Sequence, residues 1–243
     1  MQFRFLENVG RELRDSFLHL LRDYSESLAL ALILALILRQ FVFSAYRISN
    51  VMMEPNLRLG DFILGYKLPY GVTVPFIDKH LGQSPPHRGD VLIFKCPTKP
   101  EASCIKRAVA VAGDRVEIRG QRLYVNGVAG RYTKSDTKPT EALSSQVAMV
   151  ILREKILRGE REILISNATQ NSDFGPYVVP PESFFALGDN RDFSEDSRHW
   201  GAVPNRAIEA RAISIWVSID WSLDSAGDYH SKLRKERIFK GIH

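Results

Sequence analysis

The stretch "SLALALILALILRQFVFSAY", Ser27 to Tyr46, constrains this chain more than any other. Leu28 to Leu38 is an unbroken apolar run, too short by itself to span a bilayer, which takes about 20 residues. Phe41-Val42-Phe43 and Ala45-Tyr46 bring it to that length, with Arg39 and Gln40 inside the span. Arg39 is tolerated there if it snorkels to the headgroups while the aromatics sit at the interface. A cleavable signal peptide also has a short apolar core. Against it, a long polar leader precedes the run, and bulky Tyr46-Arg47-Ile48 follows where a cleavage site needs small residues. The reading is therefore an uncleaved anchor over 27–46 behind a leader, 1–26. In that leader Leu13, Phe17, Leu20 and Leu21 have the spacing of a short amphipathic helix. Arg4, Arg11, Arg14 and Arg22 precede the anchor and only Arg47 and Arg58 closely follow it, which mildly favours a cytoplasmic N-terminus.

The rest of the chain is long enough for one sizeable domain plus a small lobe. "GDFILGY" (Gly60–Tyr66), "GDVLIFK" (Gly89–Lys95), "IKRAVAVAGDRVEI" (Ile105–Ile118) and "RLYVNG" (Arg122–Gly127) are rich in β-branched and aromatic residues and punctuated by Gly and Asp. "VEIRGQRLYV" predicts a hairpin turning at Arg119-Gly120-Gln121, and "REILIS" and "ARAISIWVSI" predict later strands. Residues 130–180 differ: a Thr/Ser/Lys-rich stretch, a helix-compatible piece near Gln146–Leu157, then a Pro- and Asn-containing segment, read together as an insertion or second lobe. The basic end "SKLRKERIFKGIH" is either a solvated tail or a surface that packs or touches lipid. The fold class expected is mainly β behind one transmembrane helix.

The formal charge of +5 lies wholly after position 46, because the first 46 residues carry five Arg and five acidic residues. Such a surface favours anionic lipid headgroups or nucleic acid. No zinc knuckle, RNA-binding signature or helix-turn-helix pattern supports nucleic acid, so membrane lipid is the partner expected. The six His form no ligand spacing, and neither a metal nor a cofactor is expected. Cys96 and Cys104 lie eight apart. In an oxidising compartment they would close a loop; elsewhere they are two unpaired thiols.

Two stretches hold most of the chemistry. "IKRAV" sets Lys106 among apolar neighbours on a strand. A lone lysine there most often points to water, whereas an inward one would have its pKa lowered by desolvation and serve as a general base. "LGDNRDFSEDSRHWG" (Leu187–Gly201) is the densest polar stretch, with Asp189, Asp192, Asp196, Arg191 and Arg198 among Asn190, Ser194 and Ser197. On its own it reads as a loop braced by Asp–Arg pairs. A calcium site is a distant alternative, lacking the EF-hand glycine and terminal Glu spacing.

Taken in order, "LRQFVFSAYRIS", "MEPNLRLGDFIL", "RGDVLIF", "CIKRAVAVAGDRV" and "GDNRDFSEDSR", with "RIFKGIH" at the end, resemble the bacterial type I signal peptidases over nearly the whole chain. These are membrane-anchored serine/lysine endopeptidases that remove signal peptides from exported precursors. The resemblance implies an antiparallel β core over 47–113 and 187–243, a second lobe inserted over 114–186, and a single-pass protein of the bacterial cytoplasmic membrane. It places the large C-terminal domain on the extracytoplasmic side, with signal peptides or exported precursors as partners. It puts Lys106 on the general base, Ser194 on a serine that hydrogen-bonds that lysine, and Asp196 with Arg198 on a structural ion pair. Arg107 and Asp189 fall among its structural residues at the site.

The nucleophile position of that pattern holds Met52. Asn50 stands where a Ser or Thr hydroxyl supports the oxyanion hole, Ser49 on a usual proline and Asn56 on a common threonine. A thioether has no proton for Lys106 to take, so acyl transfer through position 52 is unavailable. The Asn50 amide keeps a donor for an altered hole. The expectation is a family member that binds precursors or assists an assembly without cutting them. The alternatives are a peptidase using Ser194 or Ser49 with Lys106, and an anchored β domain that only binds partners.

Overall fold

The computed structural model describes residues 2–73, 80–82, 84–137, 139, 148–156, 159–166, 173–223 and 229–242. The chain divides into two units, Met1–Val42 and Phe43–His243. In the first, one helix runs from Gln2 to Ile37 and continues as a π-helical turn, Leu38–Val42. Leader and anchor are thus one continuous helix. Its Arg22–Val42 portion is long and apolar enough to cross a membrane. Leu30, Leu32, Ile33, Leu34 and Leu36 are exposed, as a lipid-facing helix requires.

The helix ends at Val42, before the expected Tyr46. Phe43–Arg47 is a strand, antiparallel to Asp61–Tyr66 with Phe43 opposite Tyr66 and Arg47 opposite Phe62. The aromatics that read as the last turn of a membrane span suit a pleated surface equally well, and the strand's backbone groups find partners there.

The second unit is organised by one antiparallel sheet. Its order is Phe43–Arg47, Asp61–Tyr66, Ile208–Leu223, Val91–Lys95, Ser103–Val111, Ser183–Leu187 and Val203–Pro204. Tyr229–Leu233 and Lys240–Gly241 also pair with Ile208–Leu223. The "VLIF" run is apolar throughout because both of its faces are covered. Val91 and Ile93 pack with Met53, Leu57 and Ile63, while Leu92 and Phe94 pack with Ala108, Phe184 and Val203. The C-terminal segment packs rather than floats. Arg237 is buried and bonds the Asp61 carboxylate and the Asn56 carbonyl, although Phe239 stays exposed.

The segment from 114 carries two small sheets. One joins Arg115–Arg119, Arg122–Val125 and Val128–Ala129 with Phe174–Val178; the other joins Arg131–Lys134, Met149–Ile156 and Gly159–Ser166. The first hairpin turns at Gly120-Gln121, both with positive φ, as a two-residue turn between twisted strands requires. The helix-compatible reading of Gln146–Leu157 is overturned: Met149–Ile156 is a strand laddered along Gly159–Ser166 (Gln146, Val147 and Leu157 lie outside the described residues). Its apolar residues fit either period, and the antiparallel partner beyond Gly159 settles it. Ser183–Leu187 pairs with the Lys106 strand in the main sheet, so residues 183–186 of the expected lobe belong to that sheet. Val116, Ile118 and Leu123 share a core with Val109, Phe185 and Leu187, which joins the segment firmly to the main sheet.

Candidate active site

The loop Ser49–Asn56 connects the Phe43–Arg47 and Asp61–Tyr66 strands. Its base is closed by Ile48 N–H to Asp61 O at 2.8 Å and Gly60 N–H to Ile48 O at 3.0 Å. Behind it the fully buried Asp61 carboxylate accepts from Arg58 N at 2.7 Å and Ser218 Oγ at 2.6 Å, and pairs with Arg237. Met53 is driven into the core beside Leu57. Met52, the residue before it, is left half-buried, with Sδ 2.9 Å from Lys106 Nζ.

Lys106 reaches this point from the middle of an interior strand, opposite Leu92. Strands on both sides override the outward preference of a lone lysine, and it is 2% exposed. Burial lowers its pKa to about 8, against the opposing pull of Asp196 and Glu195. An amine so placed is a general base suited to near-neutral pH.

The polar loop supplies the frame. Asp196 is fully buried, accepts from Gly188 N at 3.0 Å and Arg198 Nε at 2.8 Å, and caps the helical turn Ser197–Trp200. Arg198 also donates to Ser194 O at 3.3 Å. Asp189 takes both arms of Arg107 at 2.8 Å and Asn56 Nδ2 at 2.7 Å. Asn190, quoted in the sequence without a role, ties the two segments together: its N–H donates to Met52 O and its Nδ2 to Val51 O, each at 3.1 Å. Gly188 was also unassigned. A Cβ there would lie 2.1 Å from Ser194 Oγ and 2.7 Å from Met52 O.

The bond from Ser194 to Lys106 that the resemblance implies is absent. Ser194 Oγ is buried without a hydrogen-bond partner, because the ammonium is turned to the Met52 sulfur. Asn50 also behaves unexpectedly: its Oδ1 accepts the Met52 N–H at 3.1 Å. The amide's acceptor end thereby occupies a backbone donor at the reaction centre. Ser49 is exposed and lines one small cleft with Asn50 and Met53. Cys96 and Cys104 form a disulfide across the loop that precedes the Lys106 strand.

An antiparallel β domain thus buries one lysine against a turn-rich loop, with a thioether as that lysine's hydrogen-bond partner. Comparison with known proteins gives the family. The model for "Signal peptidase, peptidase S26" matches residues 21–217. A signal peptidase I of Pseudomonas aeruginosa is 34% identical over 214 residues, covering 82% of this chain and 73% of that protein. One from Pseudomonas fluorescens is 35% identical over 213 residues with the same coverages, 82% and 73%. One from Aquifex aeolicus is 31% identical over 230 residues, covering 82% of this chain and 85% of that protein. This chain belongs to the signal peptidase, peptidase S26, family.

Proposed function

We propose that this protein is a membrane-anchored member of its family that engages the signal-peptide region of exported precursors without cutting it. The observation that carries the reading is the contact of Lys106 Nζ with the Met52 thioether, where acyl transfer needs a hydroxyl. The occupied Met52 N–H supports it, since a donor already bonded to Asn50 is lost to a developing oxyanion. Beside Asn50 a cleft of about 30 Å³, lined by Ile48, Met53, Ser103 and Ile105 among others, has room for a small side chain. Purified full-length protein is expected to leave a model precursor with a small-x-small site uncut. A photo-crosslinker on that precursor's signal peptide is expected to label the Asn50–Met53 loop. Cleavage would end this reading, and absence of labelling would favour partner binding alone.

One observation favours a second reading: Ser194 carries a buried hydroxyl with no partner. If it attacks with Lys106 as base, the wild type cleaves, and Ser194→Ala abolishes turnover while Ser49→Ala does not. The anchor is proposed to cross the bacterial cytoplasmic membrane once, with the β unit outside. Protease added to intact spheroplasts is then expected to degrade the β unit, and full protection would overturn that topology.

A further inference from the structure

Arg161 carries a charge that its surroundings do not balance. It is 8% exposed, on the strand Gly159–Ser166. The charged groups that act on it most strongly are Glu154 and Asp189 on one side of the balance, Arg107 and Arg191 on the other. Asp189 is committed to Arg107 through two hydrogen bonds of 2.8 Å. Glu154 is held by both arms of Arg191, at 2.9 and 2.7 Å, and by the Tyr132 hydroxyl at 2.7 Å. Arg161 Nη2 comes within 2.6 Å of Glu154 Oε2, but off the hydrogen-bonding direction, and neither it nor Nε has a hydrogen-bond partner. Within this group three buried guanidiniums share two carboxylates. Burial pushes the Arg161 pKa down, yet a guanidinium keeps its proton in proteins, so the excess stays positive. An unbalanced buried cation is costly and is relieved by an anion.

Arg161 also walls a cleft of about 510 Å³, within the size range of small-molecule sites. Val109, Val111 and Ile156 give it an aliphatic side, His87 and Arg88 a basic rim, and among the described residues no acidic side chain lines it. Arg88 is already engaged by Asp114, which leaves Arg161 as the buried cation of the cleft. We propose that this cleft binds a small anionic amphiphile, its carboxylate or phosphate set against Arg161 Nη1, the guanidinium atom beside Gly159 of the lining, and its aliphatic chain along Val109, Val111 and Ile156. A bare inorganic anion would use the charge but leave the apolar wall uncovered.

The test uses the full chain in dodecyl maltoside, titrated with dodecyl phosphate and, in parallel, with inorganic phosphate, and read by phosphorus NMR and thermal unfolding. Saturable dodecyl phosphate binding with a raised midpoint is expected in the wild type. Arg161→Gln removes the excess charge while Glu154 keeps Arg191, and Val111→Phe fills the cleft without touching Arg161. Each is expected to weaken binding at least about tenfold. An equal response to inorganic phosphate, binding undiminished in both variants, or no saturable binding by the wild type would each overturn the proposal.

Discussion

On the lysine side of the site, one carboxylate serves three purposes: Asp196 holds Gly188, pairs with Arg198 and caps a helical turn, all out of contact with water. On the loop side, Ser49 and Asn50 are exposed, and the bond from Met52 N–H to Asn50 is local. The departures that the resemblance implies at 49, 50 and 52 fall on this second side, while the fourth, Asn56, donates to Asp189. The contrast has a physical source. Asp196, Arg107 and Asp189 hold the fold whether or not a bond is ever cut, since losing one partner leaves a buried charge behind. A nucleophile's hydroxyl holds nothing together. Chemistry can be lost at position 52 while the scaffold that served it remains.

The sharpest way to break that comparison is to place a hydroxyl at position 52. Losing a nucleophile costs about 10⁶ in turnover in a measured serine protease, and misplacement by about 1 Å costs about 10²-fold. Met52→Ser is therefore expected to raise cleavage after a small-x-small motif by about 10⁴ over the wild type. Lys106→Ala in that background should remove the gain. If Met52→Ser is inert alone and together with Asn50→Ser, the lysine side is not the intact half described here.

A stability measurement compares the two sides directly. Asp196→Ala is expected to cost about 3–5 kcal/mol in denaturant unfolding, because Arg198 and the Gly188 N–H lose their buried partner. Asn50→Ala, at an exposed position, should stay within about 0.5 kcal/mol. Similar costs for the two would contradict the contrast.

The smallest effect sharpens the lysine side alone. Burial holds the folded Lys106 pKa at about 8, below the 10.5 of an exposed lysine. Between those values the unfolded chain binds more protons, so stability should rise with pH through that window, by an amount on the order of 3 kcal/mol. As pH falls through the folded value this contribution is lost. Lys106→Met should flatten the rise. In the Met52→Ser protein, cleavage should climb through the same pH 8 region as the amine becomes neutral.

Much of this was legible because local and tertiary signals agreed. "GDVLIFK" read as a strand from its β-branched and aromatic residues, and Gly120 marked the hairpin of Arg115–Arg119 with Arg122–Val125. Phe43–Tyr46 misled because aromatics suit both a membrane interface and a strand. Met149–Ile156 misled because its apolar spacing fits both periods and its hairpin partner lies beyond Gly159. Glu154 interrupts that strand with a buried charge whose meaning depends on Arg191, 37 residues away in sequence. No local pattern announces such a partner. The turning of Lys106 toward Met52 rather than Ser194 was equally hidden, since it is a choice among neighbours that only folding brings together.

Gly188 stands where the two sides meet, with no room for one more carbon between Ser194 Oγ and the Met52 carbonyl. In terms of tolerance to change, the position works as a spacer of zero thickness. Substitutions on the exposed loop alter what is presented to Lys106 but leave the distance between the halves as it was. Any side chain at 188 would instead wedge the halves apart, and no later change at 52 would bring a hydroxyl back within reach. While 188 remains glycine, the gap across which a group at position 52 is presented to Lys106 stays set.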